Sequence, residues 1–218
     1  MRLLFKNKSM LLLLMLIYGA LLFAGYLFVS TREATVTQLL VTLALVAIMP
    51  ALFFALVAVS VSCVSKTGVK KIFADGLRIV AVSVPLTVLT AIGIYVLGKF
   101  DSALTTVVAA RYLLAGVVAP LIAIQLWIAI SREGLGSTLR SFRQIAIRAL
   151  GPQSVFVYGC GLLIFAVAPY FLIFHTAQLD RAWLELSLLS ARLFLSALLM
   201  LFGWVTTITT LSLLSQQR

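Results

Sequence analysis

Acidic residues are scarce in this chain: six Asp and Glu stand against 17 Lys and Arg, with one His and two Cys. Each shortage removes a class of chemistry. General acid–base work by paired carboxylates needs two acids brought to one place, and Asp75, Asp101 and Asp180 all read as connection residues. Protein zinc sites take at least three side-chain ligands, which His175 alone cannot assemble. Neither Cys63 nor Cys160 belongs to a CxxC pair, so both read as small apolar core residues. Phosphate-cradling glycine patterns, GxxxxGK[ST] and a helix-opening GxGxxG, are missing too. The residues predict no enzyme, no metal and no cofactor. Axial ligation of a pigment or haem through His175 is a weak exception.

Hydrocarbon side chains are abundant instead. Of 218 residues, 63% are hydrophobic, and the mean hydropathy of +1.17 exceeds what a water-soluble domain can bury. Apolar runs fall at 10–30, 36–64, 77–98, 111–130, 154–174 and 183–214. Each reaches the ~20 residues that cross ~30 Å of hydrocarbon as a helix. No run alternates as an outer-membrane strand would. The expectation is an all-α polytopic membrane protein, six transmembrane helices in a compact bundle, with 1–218 as a single transmembrane domain. The first run follows Arg2, Lys6 and Lys8, and its ~20-residue length reads as a retained span rather than a secretion signal.

Charge sets the expected orientation. Twelve of the 17 Lys and Arg fall at the N-terminus, in the 2–3 and 4–5 connections and in the tail. Arg32, Lys99, Arg111 and Arg181 fall on the other side, and Arg192 lies within the sixth run. The positive-inside rule then places both termini in the cytoplasm, in a plasma (inner) membrane. A net charge of +11 suits anionic headgroups on the cytoplasmic side. It does not indicate nucleic acid, because no surface interleaves Arg with aromatics.

Several residues stand out within this frame. Pro50, Pro85, Pro120 and Pro169 lie inside four consecutive runs, and each removes a backbone hydrogen bond, so four kinked helices are predicted. After Gly136, apolar Leu139, Phe142, Ile145, Ala146 and Ala149 alternate with Arg140, Arg143 and Arg148 at helical spacing. That pattern predicts an amphipathic interfacial helix between spans 4 and 5, its arginines on lipid phosphates or on a partner. The stretch from Gly136 to Ile145 loosely resembles the loop by which permeases of binding-protein-dependent importers contact their ATPase. It lacks that loop's Glu-Ala-Ala opening, and the helix continues where the family places Pro. The resemblance implies docking on a cytoplasmic ATPase.

Arg192 allows two readings: a buried cation needing a counter-charge, with Glu185 as the nearest acid on its face, or an interfacial side chain that snorkels outward. Gln125 lies deep enough to need a hydrogen-bond partner. Small residues at Ala20/Ala24, Ala51/Ala55, Ala115/Ala119 and Gly159/Gly161 allow close helix approach. The run Thr206, Thr207, Thr209 and Thr210 either lines a pathway or bonds back to its own backbone. Two functions follow. The first is a non-catalytic integral membrane subunit or scaffold assembling with other membrane proteins. The alternative is a permease for a neutral or amphiphilic substrate, with the membrane subunit of an ATP-driven transporter as one form of it. A polar cavity shared by Gln125, Thr206 and Arg192 would favour the permease, and a dry interior with lateral grooves the subunit.

Overall fold

The computed structural model describes residues 8–31, 35–65, 69–100, 105–175 and 181–216, and every element among them is helical. In chain order these are α1 (Lys8–Ser30), α2 (Val36–Ser65), α3 (Val69–Gly98) and α4 (Thr105–Leu113). A π-helical turn (Leu114–Val118) leads into α5 (Ala119–Glu133), followed by the short helices α6 (Leu135–Arg140) and α7 (Phe142–Ala149). Helix α8 (Pro152–Leu162) passes through a second π turn (Leu163–Val167) into α9 (Ala168–Phe174), and α10 (Ala182–Gln216) ends the described chain. Six segments are long and apolar enough to span a membrane: Ser9–Ser30, Val36–Ser62, Lys71–Gly98, Thr105–Glu133, Pro152–Phe174 and Trp183–Gln216.

Helix boundaries follow local chemistry. At the start of α2, Thr35 Oγ1 accepts from the Gln38 amide (3.3 Å) while Gln38 Oε1 accepts from the Thr35 N–H (3.1 Å). This reciprocal capping box satisfies donors that a helix leaves free. Gly134 separates α5 from α6 at φ +82°, a conformation that side chains with a Cβ resist. Pro152 opens α8 in its first turn, where its missing N–H costs nothing.

The fourth span is the most enclosed: 44% of its apolar window is buried, against 11–22% for the other five. Leu121, Ile124, Leu126, Ile128 and Ile130 of α5 are all at 2% exposure or less. All of these but Leu126 belong to one core cluster with Val57, Val59 and Val61 of α2, Ile79 of α3, and Val205 and Ile208 of α10. Helix α5 is therefore the strut on which α2, α3 and α10 meet.

Three expectations need correcting. Residues 65–76 do not form a long connection: α3 begins at Val69, so Asp75 lies in a helix and is fully buried. Four charges spread over three turns lower the hydropathy without breaking the helix, and Arg78 Nη1 reaches Asp75 Oδ1 at 3.2 Å one turn on. The amphipathic segment is two short helices rather than one, divided at Ser141. Its apolar residues divide between two environments: Ile145 and Ala149 are buried together with Thr138, and Leu139 and Phe142 are exposed. Cys160 is exposed rather than a core residue; the Cys63 side chain lies outside the described residues.

Candidate functional site

Of the four prolines, two are accommodated by a change of helix type. Pro120 and Pro169 each follow a π turn, in which Ala119 N–H reaches back five residues to Leu114 O and Ala168 N–H to Leu163 O. The widened turn relieves the clash of the proline ring with the carbonyl four residues earlier. At Pro120 that carbonyl belongs to Gly116, and it accepts instead from Tyr158 Oη at 2.9 Å. Pro50 and Pro85 are exposed and lie within unbroken α2 and α3.

Beside Pro120 the helices leave a cavity of about 420 Å³ whose walls include Phe53, Thr87, Thr90, Ala115, Pro120 and Trp204. An aromatic cluster closes its inner side. Trp127 and Trp204 have centroids 6.4 Å apart, Phe165 stands edge-on to Trp204 at 5.9 Å, and Tyr158 lies 6.2 Å from Phe165. Trp127 Nε1 donates to Ser83 Oγ at 2.8 Å. Thr87 and Thr90 donate to carbonyls of their own helix, Ser83 O and Leu86 O, at 2.8 Å. Trp204 Nε1 is enclosed with no hydrogen-bond partner. The lining is mainly apolar, its hydroxyls coming from Ser83, Thr87 and Thr90. A second cavity of about 420 Å³, between α1, α2 and α3, is lined only by apolar residues and Gly76, including Leu13, Phe54, Ala55, Phe73 and Leu77.

At the end away from α6 and α7, Arg192 is half-buried and its Nε donates to Leu172 O (2.8 Å) in the last turn of α9. A cation on a helix C-terminus answers both a carbonyl lacking an intrahelical partner and the negative end of the dipole. Glu185 is exposed, and the only ion pair among the described residues is Arg78 with Asp75. The Arg192–Glu185 pairing is thus replaced by a carbonyl on the neighbouring helix, which lies nearer than an acid two turns away. His175 is exposed where α9 ends, and no cluster of three His, Cys, Asp or Glu exists among the described residues. Asp101 and Asp180 lie outside them.

The α6–α7 end holds most of the described charge. Arg140, Arg143 and Arg148 are exposed. Arg132, which sequence reasoning counted only as a topological charge, reaches across to the last turns of α10. Its guanidinium donates to Ser215 Oγ (2.7 Å), to Ser212 O (2.8 Å) and to Ser212 Oγ. Gln125 is buried (7% exposed) and shares a cavity of about 50 Å³ with Arg132, Glu133, Arg148 and Ser215. Asp75 Oδ2, Ser62 Oγ and Ser131 Oγ are enclosed without partners.

Gln125, Thr206 and Arg192 do not meet. Arg192 and Thr206 are 14 positions apart on α10, about 21 Å at 1.5 Å per residue. The four threonines of α10 bond back to Phe202, Gly203, Val205 and Thr206 carbonyls at 2.6–2.8 Å. The Tyr158 and Trp204 arrangement went unnoticed in the sequence, although a signal existed: Leu-x-x-x-Val-Ala-Pro occurs at both 114–120 and 163–169, and both copies carry a π turn.

Comparison with protein-family models, curated proteins and solved structures finds no match. The fold itself defines a class: an all-helical chain with six helices long and apolar enough to cross a membrane, as in a multi-pass membrane protein.

Proposed function

We propose that the chain is a non-catalytic integral membrane subunit or scaffold that assembles with other membrane proteins, in a plasma (inner) membrane with both termini cytoplasmic. One observation carries this reading: the polar side chains a conduit would share are separated, Arg192 and Thr206 being engaged with nearby carbonyls, while the two larger open spaces are mainly apolar. The groove between α1, α2 and α3 is lined in part by exposed Phe73 and Leu77, an apolar surface that a helix of a partner can cover by van der Waals packing. Short helices α6 and α7 present Arg140, Arg143 and Arg148 to an inner-face partner or to anionic headgroups. Their exposed Leu139, Phe142 and Ile147 support an interfacial placement.

Permeation of a neutral or amphiphilic substrate is the second reading, favoured by the π turn, Pro120 and the free Trp204 Nε1 around one groove. Extraction from native membranes in mild detergent, followed by native mass spectrometry, separates the two. The subunit reading expects a stoichiometric membrane partner whose recovery falls when Arg140, Arg143 and Arg148 are all changed to Gln. A folded chain that runs alone at its own mass overturns it.

A further inference from the structure

Arg132 and Arg148 face one small cavity with no carboxylate in ion-pair contact with either. The three acceptors of Arg132 are two serine hydroxyls and a carbonyl, all neutral. Glu133 also borders the cavity, but it is exposed and accepts from Ser137 Oγ at 3.3 Å. A partly buried guanidinium such as Arg132 is stabilised by an opposite charge beside it, and exposed Arg148 borders the same cavity with its fork unengaged. Here two cations and one carboxylate leave a surplus of one positive charge. A single monoanion makes the site neutral.

The space suits a small tetrahedral anion. It measures about 50 Å³, where one water needs only about 10–15 Å³. Gln125, buried in its lining, supplies an amide able to donate, whereas the Ser215 hydroxyl already donates to Ser212 O at 2.7 Å while accepting from Arg132. Guanidinium forks match phosphate oxygens geometrically, and basic pockets between membrane helices at the headgroup level are suited to lipid phosphates.

We propose that this cavity between α5, α7 and α10 is a binding site for a phosphate-type monoanion, held by Arg132, Arg148 and the Gln125 amide. The proposal rests on the membrane reading of the fold. A phosphodiester carries the one negative charge that balances the site and sits at the depth where a span ends, so the headgroup of an anionic phospholipid fits better than a free phosphate dianion.

The test uses the purified full chain, delipidated in a neutral detergent, with native mass spectrometry and thermal unfolding as readouts. Phosphatidylglycerol, phosphatidylcholine and inorganic phosphate are added in separate arms. The expected result is retention of one phosphatidylglycerol and a raised Tm, with Arg148→Gln weakening binding at least tenfold and Arg181→Gln, at an exposed position outside the cavity, leaving it unchanged. Inorganic phosphate that reproduces the Tm rise and displaces the lipid would support the site and assign it a soluble anion. Equal binding of phosphatidylglycerol and phosphatidylcholine, or unaltered binding by Arg148→Gln, overturns the proposal. Arg148 is exposed and its side chain makes no hydrogen bond or ion pair among the described residues, so this variant folds even where Arg132→Gln does not. Failure of the chain to enter liposomes would refute the membrane reading instead.

Discussion

Proline at 120 takes away the amide that the Gly116 carbonyl would receive in a regular helix, and Tyr158 Oη supplies a donor from a neighbouring span at 2.9 Å. The hydroxyl therefore has a partner fixed by another residue's deficit. Tyr158→Phe keeps the ring against Phe165 and leaves the carbonyl unsatisfied. Hydrogen bonds between membrane helices contribute about 0.6 kcal/mol on average and up to ~1.7, so a loss of about 0.5–2 kcal/mol is expected in detergent unfolding. Pro120→Ala restores an amide near Gly116 O, and the double variant should lose less than the two single changes added together. Strict additivity would show that the two residues do not share that carbonyl.

Helix α10 and the fifth span touch through glycines. A Cβ at Gly203 would sit 2.8 Å from Phe165 Cβ and 2.9 Å from the Phe165 backbone nitrogen. At Gly161 it would overlap the Thr207 side chain. Backbone cannot yield as a flexible side chain does, so Gly203→Ala should cost about 1–3 kcal/mol through overpacking. Gly159, with nothing within 4 Å of an added Cβ, should accept Ala without loss in the same thermal unfolding measurement. Equal effects at 203 and 159 would mean that the spans do not approach as described. The small-residue pattern around Gly159 and Gly161 was legible in the sequence, but which glycine faces α10 was not, since helical phase is set by the partner. Spans were legible because 20 apolar residues are a bulk property. Asp75 was misplaced because hydropathy cannot distinguish a charged loop from a helix whose charges pair one turn apart. Arg132 was overlooked because its acceptors, Ser212 and Ser215, lie 80 or more positions away.

For the whole molecule, the open question is direction. Both ends of the helices carry arginines, but they are used differently. Arg192 is engaged with the end of a neighbouring helix, whereas Arg140, Arg143 and Arg148 are exposed and free to meet headgroups. Twelve basic residues assigned to one side against four on the other give the positive-inside bias its sign. That bias predicts the α6–α7 end on the cytoplasmic side, and a cysteine probe there tests it, provided that the probe is accessible. Thr138 is fully buried, so Ser137, which is exposed, is the position to use, with exposed Thr106 at the start of α4 as its counterpart. In a chain whose Cys63 and Cys160 are replaced by Ala, Thr106→Cys should react with a membrane-impermeant maleimide in intact cells. Ser137→Cys should react only after lysis. The reverse pattern overturns the orientation alone, whereas reaction of both from outside would mean that Thr105–Glu133 does not cross the bilayer.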